Sequence, residues 1–398
     1  MREMLYETAR RLIAFDTVSS RSNQPAAEFL AERFQSLGFK VACQRVEISG
    51  VPQVNVLAWA GPPVTDGLII SGHIDTVPFE GQPGWTRDPL KMEVEAERIY
   101  GRGTSDMKAF LAQCVEAAAA IDRKSLLRPL VFAFTADEEV GYTGAERLAP
   151  ELAGLLGDVP SPRLAWIGEP TSYRVCHAHK SIVTFEITVD GRGGHSGTPD
   201  QGVNAIAVMG KVLEVIGRLQ HERAESPDPR FVEIFPEAPC DVMNLGTIHG
   251  GLAANMIAER CVVRVSYRSL PDADPLALYR EVEQRVSRID THDYALGKFR
   301  AEIRLSPPMA FPSLNSPRGT ALEKALFEAT GATVSRGAPF GTDGGWFSHV
   351  GIASLICGPG DLEQAHQPNE SLGREAFERG TDVILKVVRR MCCEPRGC

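Results

Sequence analysis

LVFAFTADEEVG, residues 130–141, is the stretch on which the fold turns. Its apolar start, Leu130 to Phe134, is too short for an ordinary helix and reads as a buried strand. The acidic run Asp137, Glu138 and Glu139 follows almost at once, and VGYTGA then turns the chain. Acidic pairs mostly sit on solvated turns. Just past a buried strand of an open α/β sheet, however, side chains look into a crevice shared with neighbouring strands. Adjacent side chains of an extended segment point apart, so Glu138 and Glu139 are expected to serve different partners.

Four further motifs repeat this association of polar groups with apolar runs: GHIDTVP (72–78), GRGTSDMKA (101–109), GEPT (168–171) and QAHQPNE (364–370). Apolar runs at 68–70, 164–167 and 352–356 precede three of them directly or by a few residues. A sheet built from these runs gathers His73, Asp106, Glu138, Glu139, Glu169 and His366, and two imidazoles among several carboxylates point to a metal site. His73 and Asp75 are two apart on a strand end and share a side, so Asp75 is expected to accept from the ring N–H turned away from the metal. Taken singly, His73 with Asp75 reads equally well as a strand-end histidine beside a turn aspartate. Asp106 alone would be the N-cap of the apolar helix expected over 107–121. Asp106, Glu139 and Glu169 carry three negative charges, too many for one divalent ion, whereas two such ions with one hydroxide balance them. Oxygen and nitrogen donors suit zinc, with cobalt or manganese as substitutes.

At 398 residues the chain exceeds the size at which one core stops growing, and its 43% hydrophobic content supplies two. A net charge of −9 with no Lys/Arg-rich block argues against nucleic acid or an anionic membrane as partner. A small-molecule substrate fits better. MREMLYETARRLIAF carries charges throughout at helical spacing, unlike a signal peptide, so a cytoplasmic location is expected. The nine cysteines are scattered without paired spacing and read as small buried residues or solvated thiols. CCEPRGC (392–398) could hold a soft metal but matches no ordinary zinc spacing.

Helices and strands alternate up to about residue 180. A β-α-β-β-α-β succession follows over 181–306, with strands at 182–189, 242–248, 257–269 and 299–305 and helices at 203–219 and 275–289. SPPMAFPS (306–313) reads as a linker, after which the α/β pattern resumes. The expected architecture is a mixed-sheet α/β domain of residues 1–180 and 307–398, interrupted by a ferredoxin-like α+β domain of 181–306.

With SGHIDTVP, GRGTSDMKA, FTADEEVG, GEPT and AHQPNE in this order, the chain resembles the binuclear zinc amidohydrolase and exopeptidase family of acetylornithine deacetylase and succinyl-diaminopimelate desuccinylase. The resemblance covers nearly the whole chain. GVNAI, CGPGDLEQAHQPNE and GEPTSYRVCHAHK resemble the acetylornithine deacetylase branch most. It implies that His73 and Glu169 hold one zinc, that Glu139 and His366 hold the other, and that Asp106 bridges them. It also implies that Glu138 is the general base and acid, that Asp75 orients His73, and that the Asp106–Met107 peptide is cis. The inserted domain would be a lid and homodimerisation module. His195 would support the carbonyl oxygen in the neighbouring subunit's site, while Asn255 and Arg268 would bind substrate, the arginine facing its α-carboxylate. The implied reaction is hydrolysis of an N-acyl-L-amino acid amide, with N-acetyl-L-ornithine giving ornithine and acetate. Ser181, where relatives commonly carry glycine, and the loop GTDGGWF (341–347) depart from the family pattern. These departures leave succinyl-diaminopimelate, N-acetylcitrulline and dipeptides open as substrates. A metal-dependent binding protein descended from such enzymes is the reading from another class; it requires a lost ligand or base, and none is lost.

Overall fold

The apolar runs that precede the carboxylate motifs become neighbours. In the computed structural model, which describes residues 2–293 and 298–395, strands Leu130–Thr135, Leu68–His73, Leu164–Ile167 and Ala353–Ile356 lie side by side in that order and run parallel. They are buried almost throughout, and this explains their unbroken apolar character: a parallel sheet covered on both faces has no solvent side to alternate towards. Val51–Ala60 joins Leu130–Thr135 antiparallel, and Lys40–Ile48 closes that edge with alternating exposure. On the far side Val175–His179 pairs antiparallel with Ala353–Ile356, so the sheet is mixed.

Helix Lys108–Ala120 runs through the core on one face of this sheet, packed between helices Arg2–Ala14 and Arg374–Val388. It is buried on nearly every side, with Phe110, Leu111, Cys114 and Val115 among the enclosed residues. Each such Phe, Leu or Val contributes about 1.5–3 kcal/mol on burial. The loop entering this helix, which bears Asp106, is therefore anchored at its exit. The N-cap role that Asp106 would have taken on its own is absent: Met107 occupies the cap position with no side-chain cap bond, and the Asp106–Met107 peptide is cis.

The chain divides into two compact units, one comprising residues up to Ala178, Leu314–Ala338 and from Thr342 onward, the other His179–Ser313 with Pro339–Gly341. In the second unit the order is strand Ile182–Asp190, helix Ala205–Ala224, strands Val242–Gly250 and Arg260–Arg268, helix Ala277–Val286, strand Glu302–Leu305. Spatially the strands run 242–250, 260–268, 182–190, 302–305, every pair antiparallel, which is the ferredoxin-like arrangement. Val183, Phe185, Ile187 and Val189 face the helices while alternate residues face outward. Asn204 caps the first helix by accepting from the N–H groups of Ile206 and Ala207.

The SPPMAFPS stretch is not a bare linker. Met309–Phe311 adds a short antiparallel strand to Ile182–Asp190. Prolines 307, 308 and 312 flank this segment, leaving its own N–H groups free to pair.

Candidate metal centre

Three of the four parallel strands deliver their polar residues at their carboxyl ends. His73 is the last residue of its strand, wholly buried, with Nε2 3.0 Å from Asp106 Oδ1 and 3.9 Å from Glu169 Oε1. Donors held about 2.0–2.2 Å from one tetrahedral ion stand about 3.4 Å from each other, so these spacings suit a shared cation. Asp106 reaches the other way as well: Oδ2 lies 3.3 Å from His366 Nε2, which is 2.9 Å from Glu139 Oε2. Donor atoms of His73, Asp106 and Glu139 converge closely enough to hold one ion, and so do those of His73, Glu138 and Glu169. Glu138 thus lies within reach of the same ion as His73 and Glu169. His366 is the one member open to solvent, its side chain about half exposed, and it adopts a left-handed φ of 63°.

Glu138 and Glu139 do diverge, but not because the chain is extended. They lie in a turn entered through Asp137 at a left-handed φ of 61°. Asp75 fixes that turn: its carboxylate accepts from the N–H of Glu138 at 3.1 Å, the N–H of Glu139 at 3.3 Å and the Ser19 hydroxyl at 2.6 Å. His73 Nδ1 meets the Asp75 backbone carbonyl at 3.0 Å, nearer than the Asp75 carboxylate at 3.6 Å. A carbonyl can only accept, so Nδ1 carries a proton and Nε2 is the face offered to Asp106. The expected Asp75–His73 link thus runs chiefly through the main chain, and the Asp75 side chain chiefly orders the acid pair.

The electrostatics ask for cations. Burial, reinforced by Glu169 for Glu138 and by Asp106 for Glu169, pushes both well above the ordinary carboxylate range, and burial beside Asp106 raises Glu139 to about 7. Burial would raise Asp106 too, yet hydrogen bonds from His366 and His73 hold it far below its usual value. His366 is carried up to about 10 by Asp106 and Glu139. One oxygen of Glu139 and one of Glu169 are buried with no hydrogen-bond partner among the described residues. Such oxygens are costly unless something positive occupies the gap. Unpaired carboxylate oxygens beside imidazole nitrogens fit divalent metal ions.

Residues 69–390 match the sequence family described as Peptidase family M20/M25/M40. The chain belongs to this family. It is a family M20 hydrolase, and the acetylornithine deacetylase of Erwinia tasmaniensis is 32% identical to it over 399 residues, covering 97% of each chain. In fold it is similar to an M20 metallo-carboxypeptidase from Sulfolobus solfataricus, with a TM-score of 0.78 and 17% identity covering 97% of this chain and 98% of that one. A dinuclear metal-binding M20 peptidase from Bacillus subtilis is similar too, with a TM-score of 0.63 at 16% identity over 97% and 98% of the two chains.

The remaining sequence-derived residues of this M20 chain lie in the second unit. His195 is exposed on a two-residue strand paired with Met256–Ile257, and the Ser196 N–H bonded to the Asn255 carbonyl at 3.1 Å keeps Asn255 beside it. The N–H of Gly197 donates to His195 Nδ1 at 3.0 Å, so the neutral ring carries its proton on Nε2 and presents a donor outward. Arg268 ends its strand, half-buried, opposite Val242. Asp343, Glu370 and Arg102 escaped the sequence reading. Asp343 is buried beside the acidic cluster, with one oxygen taken by the Thr135 hydroxyl and the other without a partner among the described residues. For Arg102 and Asp343 the sequence signal was a charged residue inside a Gly-rich motif, and for Glu370 its place at the end of QAHQPNE. Among the described residues no metal-capable group includes a cysteine, and Cys398 of the tail motif lies outside those residues. No helix of the described residues is long and apolar enough to cross a membrane.

Proposed function

We propose that this family M20 hydrolase cleaves the amide bond of an N-acyl-L-amino acid, N-acetyl-L-ornithine first among candidates, giving acetate and L-ornithine. The observation carrying the reading is the convergence of His73, His366, Asp106, Glu139 and Glu169 with their unpartnered buried oxygens. In this reading His73 and Glu169 hold one divalent ion, Glu139 and His366 the other, and Asp106 is shared. Zinc suits the donors, with cobalt or manganese as substitutes. When bound, two such cations supply Lewis acidity that polarises an acyl carbonyl and acidifies water near neutral pH.

The chain's own groups do the rest. Glu138, enclosed and held in place through its N–H by Asp75, takes a proton from the attacking water as its oxygen bonds to the acyl carbon. When the C–N bond breaks, the same carboxyl returns that proton to the leaving amine. His195 of the partner subunit offers its Nε2–H to the oxyanion, Arg268 pairs with the substrate α-carboxylate, and Asn255 adds a polar contact. The inserted unit serves as lid and dimerisation module. Supporting a homodimer, Val242–Gly250 is an edge strand with Leu245 and Ile248 exposed, and Leu252 beyond it is 90% exposed. A cytoplasmic location accords with this chemistry.

The test is a panel of N-acyl amino acids and dipeptides assayed with added zinc or cobalt, alongside Glu138→Gln. N-acetylornithine should be the preferred substrate. Preference for succinyl-diaminopimelate, N-acetylcitrulline or a dipeptide would reassign the substrate, and no hydrolysis across the panel would overturn the reading. Glu138→Gln should keep its metal content and lose nearly all turnover; substantial turnover would remove Glu138 from its role.

A further inference from the structure

Glu370, the last residue of QAHQPNE, is buried and saturated with donors. Its Oε1 accepts from three backbone groups of the Asp106 loop: the N–H groups of Gly103 at 3.1 Å, Ser105 at 2.8 Å and Asp106 itself at 3.0 Å. Its Oε2 pairs with Arg102 Nη1 at 2.8 Å, and that guanidinium is equally buried. Arg102 Nη2 donates to Gln82 Oε1 at 2.8 Å, and Gln82 Nε2 donates to the His366 carbonyl at 2.7 Å. Glu370 thus holds the backbone of Asp106 directly and that of His366 through Arg102 and Gln82. Both of its oxygens are thus engaged by protein donors. Paired with Arg102, it adds no net charge to a cluster already rich in carboxylates.

The tether answers a need. His366 and Asn369 both adopt left-handed φ values, 63° and 56°, a region that histidine and asparagine tolerate better than most side chains but still less readily than glycine. Asn369 is held by the Thr86 N–H and by the Gly84 carbonyl, so segment 82–86 clasps this loop at two points.

We propose that Glu370, Arg102 and Gln82 are positioning residues that hold the shared Asp106 and set its distance from the His366 imidazole, and through this the affinity of the site for its cations. The inference rests on the binuclear reading given above. Backbone tethers of this kind orient metal donors as outer-shell hydrogen bonds do, and their loss typically weakens affinity about 10–100-fold.

The experiment is equilibrium cobalt(II) binding against a competing chelator, with the visible absorption band of the bound ion and the melting temperature recorded for wild type, Glu370→Gln and Gln82→Ala. Wild type should take up two ions. Glu370→Gln disturbs the shared Asp106 and should weaken both ions about 10–100-fold with a changed cobalt spectrum. Gln82→Ala, at a partly exposed position, should weaken only the ion on the His366 side and leave the melting temperature of the metal-free protein unchanged. Wild-type protein that binds no ion would overturn the binuclear reading itself. Wild type binding two ions, with Glu370→Gln matching it in affinity and spectrum, would overturn the clamp alone. Should Glu370→Gln not fold, Gln82→Ala decides: undiminished affinity for both ions refutes the proposal.

Discussion

Asp75→Asn isolates the role of one carboxylate in ordering the acid pair. In the native site Oδ1 accepts the Glu138 N–H at 3.1 Å, while Oδ2 accepts the Glu139 N–H at 3.3 Å and the Ser19 hydroxyl at 2.6 Å, with the side chain wholly buried. Asparagine keeps one accepting oxygen and replaces the other by an NH2 group. Either orientation strands one backbone N–H; with the NH2 in the Oδ2 position the longer bond, from Glu139 at 3.3 Å, is the one lost, and the Ser19 hydroxyl rotates to accept. A hydrogen bond to a charged acceptor is worth about 1.5–3 kcal/mol, and a buried donor left unpaired costs about 1–3 kcal/mol. The two overlap, since both describe the stranded Glu139 N–H, so the expected total is about 3 kcal/mol, roughly a hundredfold in an equilibrium constant. The loss divides between stability and cation affinity according to how far the 137–141 turn shifts to rescue the donor. Thermal unfolding of the metal-free protein and cobalt titration, performed together, measure both shares. If each stays within about 0.5 kcal/mol of wild type, the ordinary range of a neutral surface change, the carboxylate is not what fixes the turn.

Gly168→Ala would place a Cβ 2.1 Å from the Phe110 ring, itself packed edge-on against Trp166; overpacking at this site should cost about 1–3 kcal/mol, and an unchanged melting temperature would refute the packing argument. Partial burial by itself would raise Glu378, but hydrogen bonds from Tyr6, Arg374 and Arg2 outweigh it and hold the carboxyl at about 2. Because the folded value lies below the ordinary 4.5, the clasp between the first and last long helices stabilises fully above that pH and fades as acidity approaches 2. Glu378→Gln should lose about 1 kcal/mol at neutral pH, a figure kept small by solvent screening, and should flatten the acid limb of the stability curve; an unaltered limb counts against it. Removing divalent ions with a chelator should lower the melting temperature, and zinc or cobalt at about a hundred times its dissociation constant should restore about 2.7 kcal/mol. Identical melting with and without metal would deny the cluster its cations.

Much of this organisation was legible one residue at a time. The runs around 68, 130, 164 and 353 are apolar without alternation because both faces of a parallel sheet are covered, and so the strands announced themselves and put their polar ends in one crevice. The β-α-β-β-α-β order of the second unit was equally readable, since period-two strands and period-3.6 helices leave different patterns. The short strand Met309–Phe311 was not, because flanking prolines signal a linker whether or not a free sheet edge lies nearby.

The amino-acid order by itself therefore determined which chemical groups gather: the histidines, the acid pair and the aspartate are carried by local patterns of burial and turn. Only the tertiary structure decided how those groups are aimed. That Glu138 and Glu139 part through a left-handed turn, that His73 leans on a main-chain carbonyl, and that Glu370 grips the N–H of Asp106 from 264 residues away are matters of hydrogen-bond satisfaction across distant segments. A buried polar group takes whatever partner the fold brings within about 3 Å, and no local spacing records which one that will be.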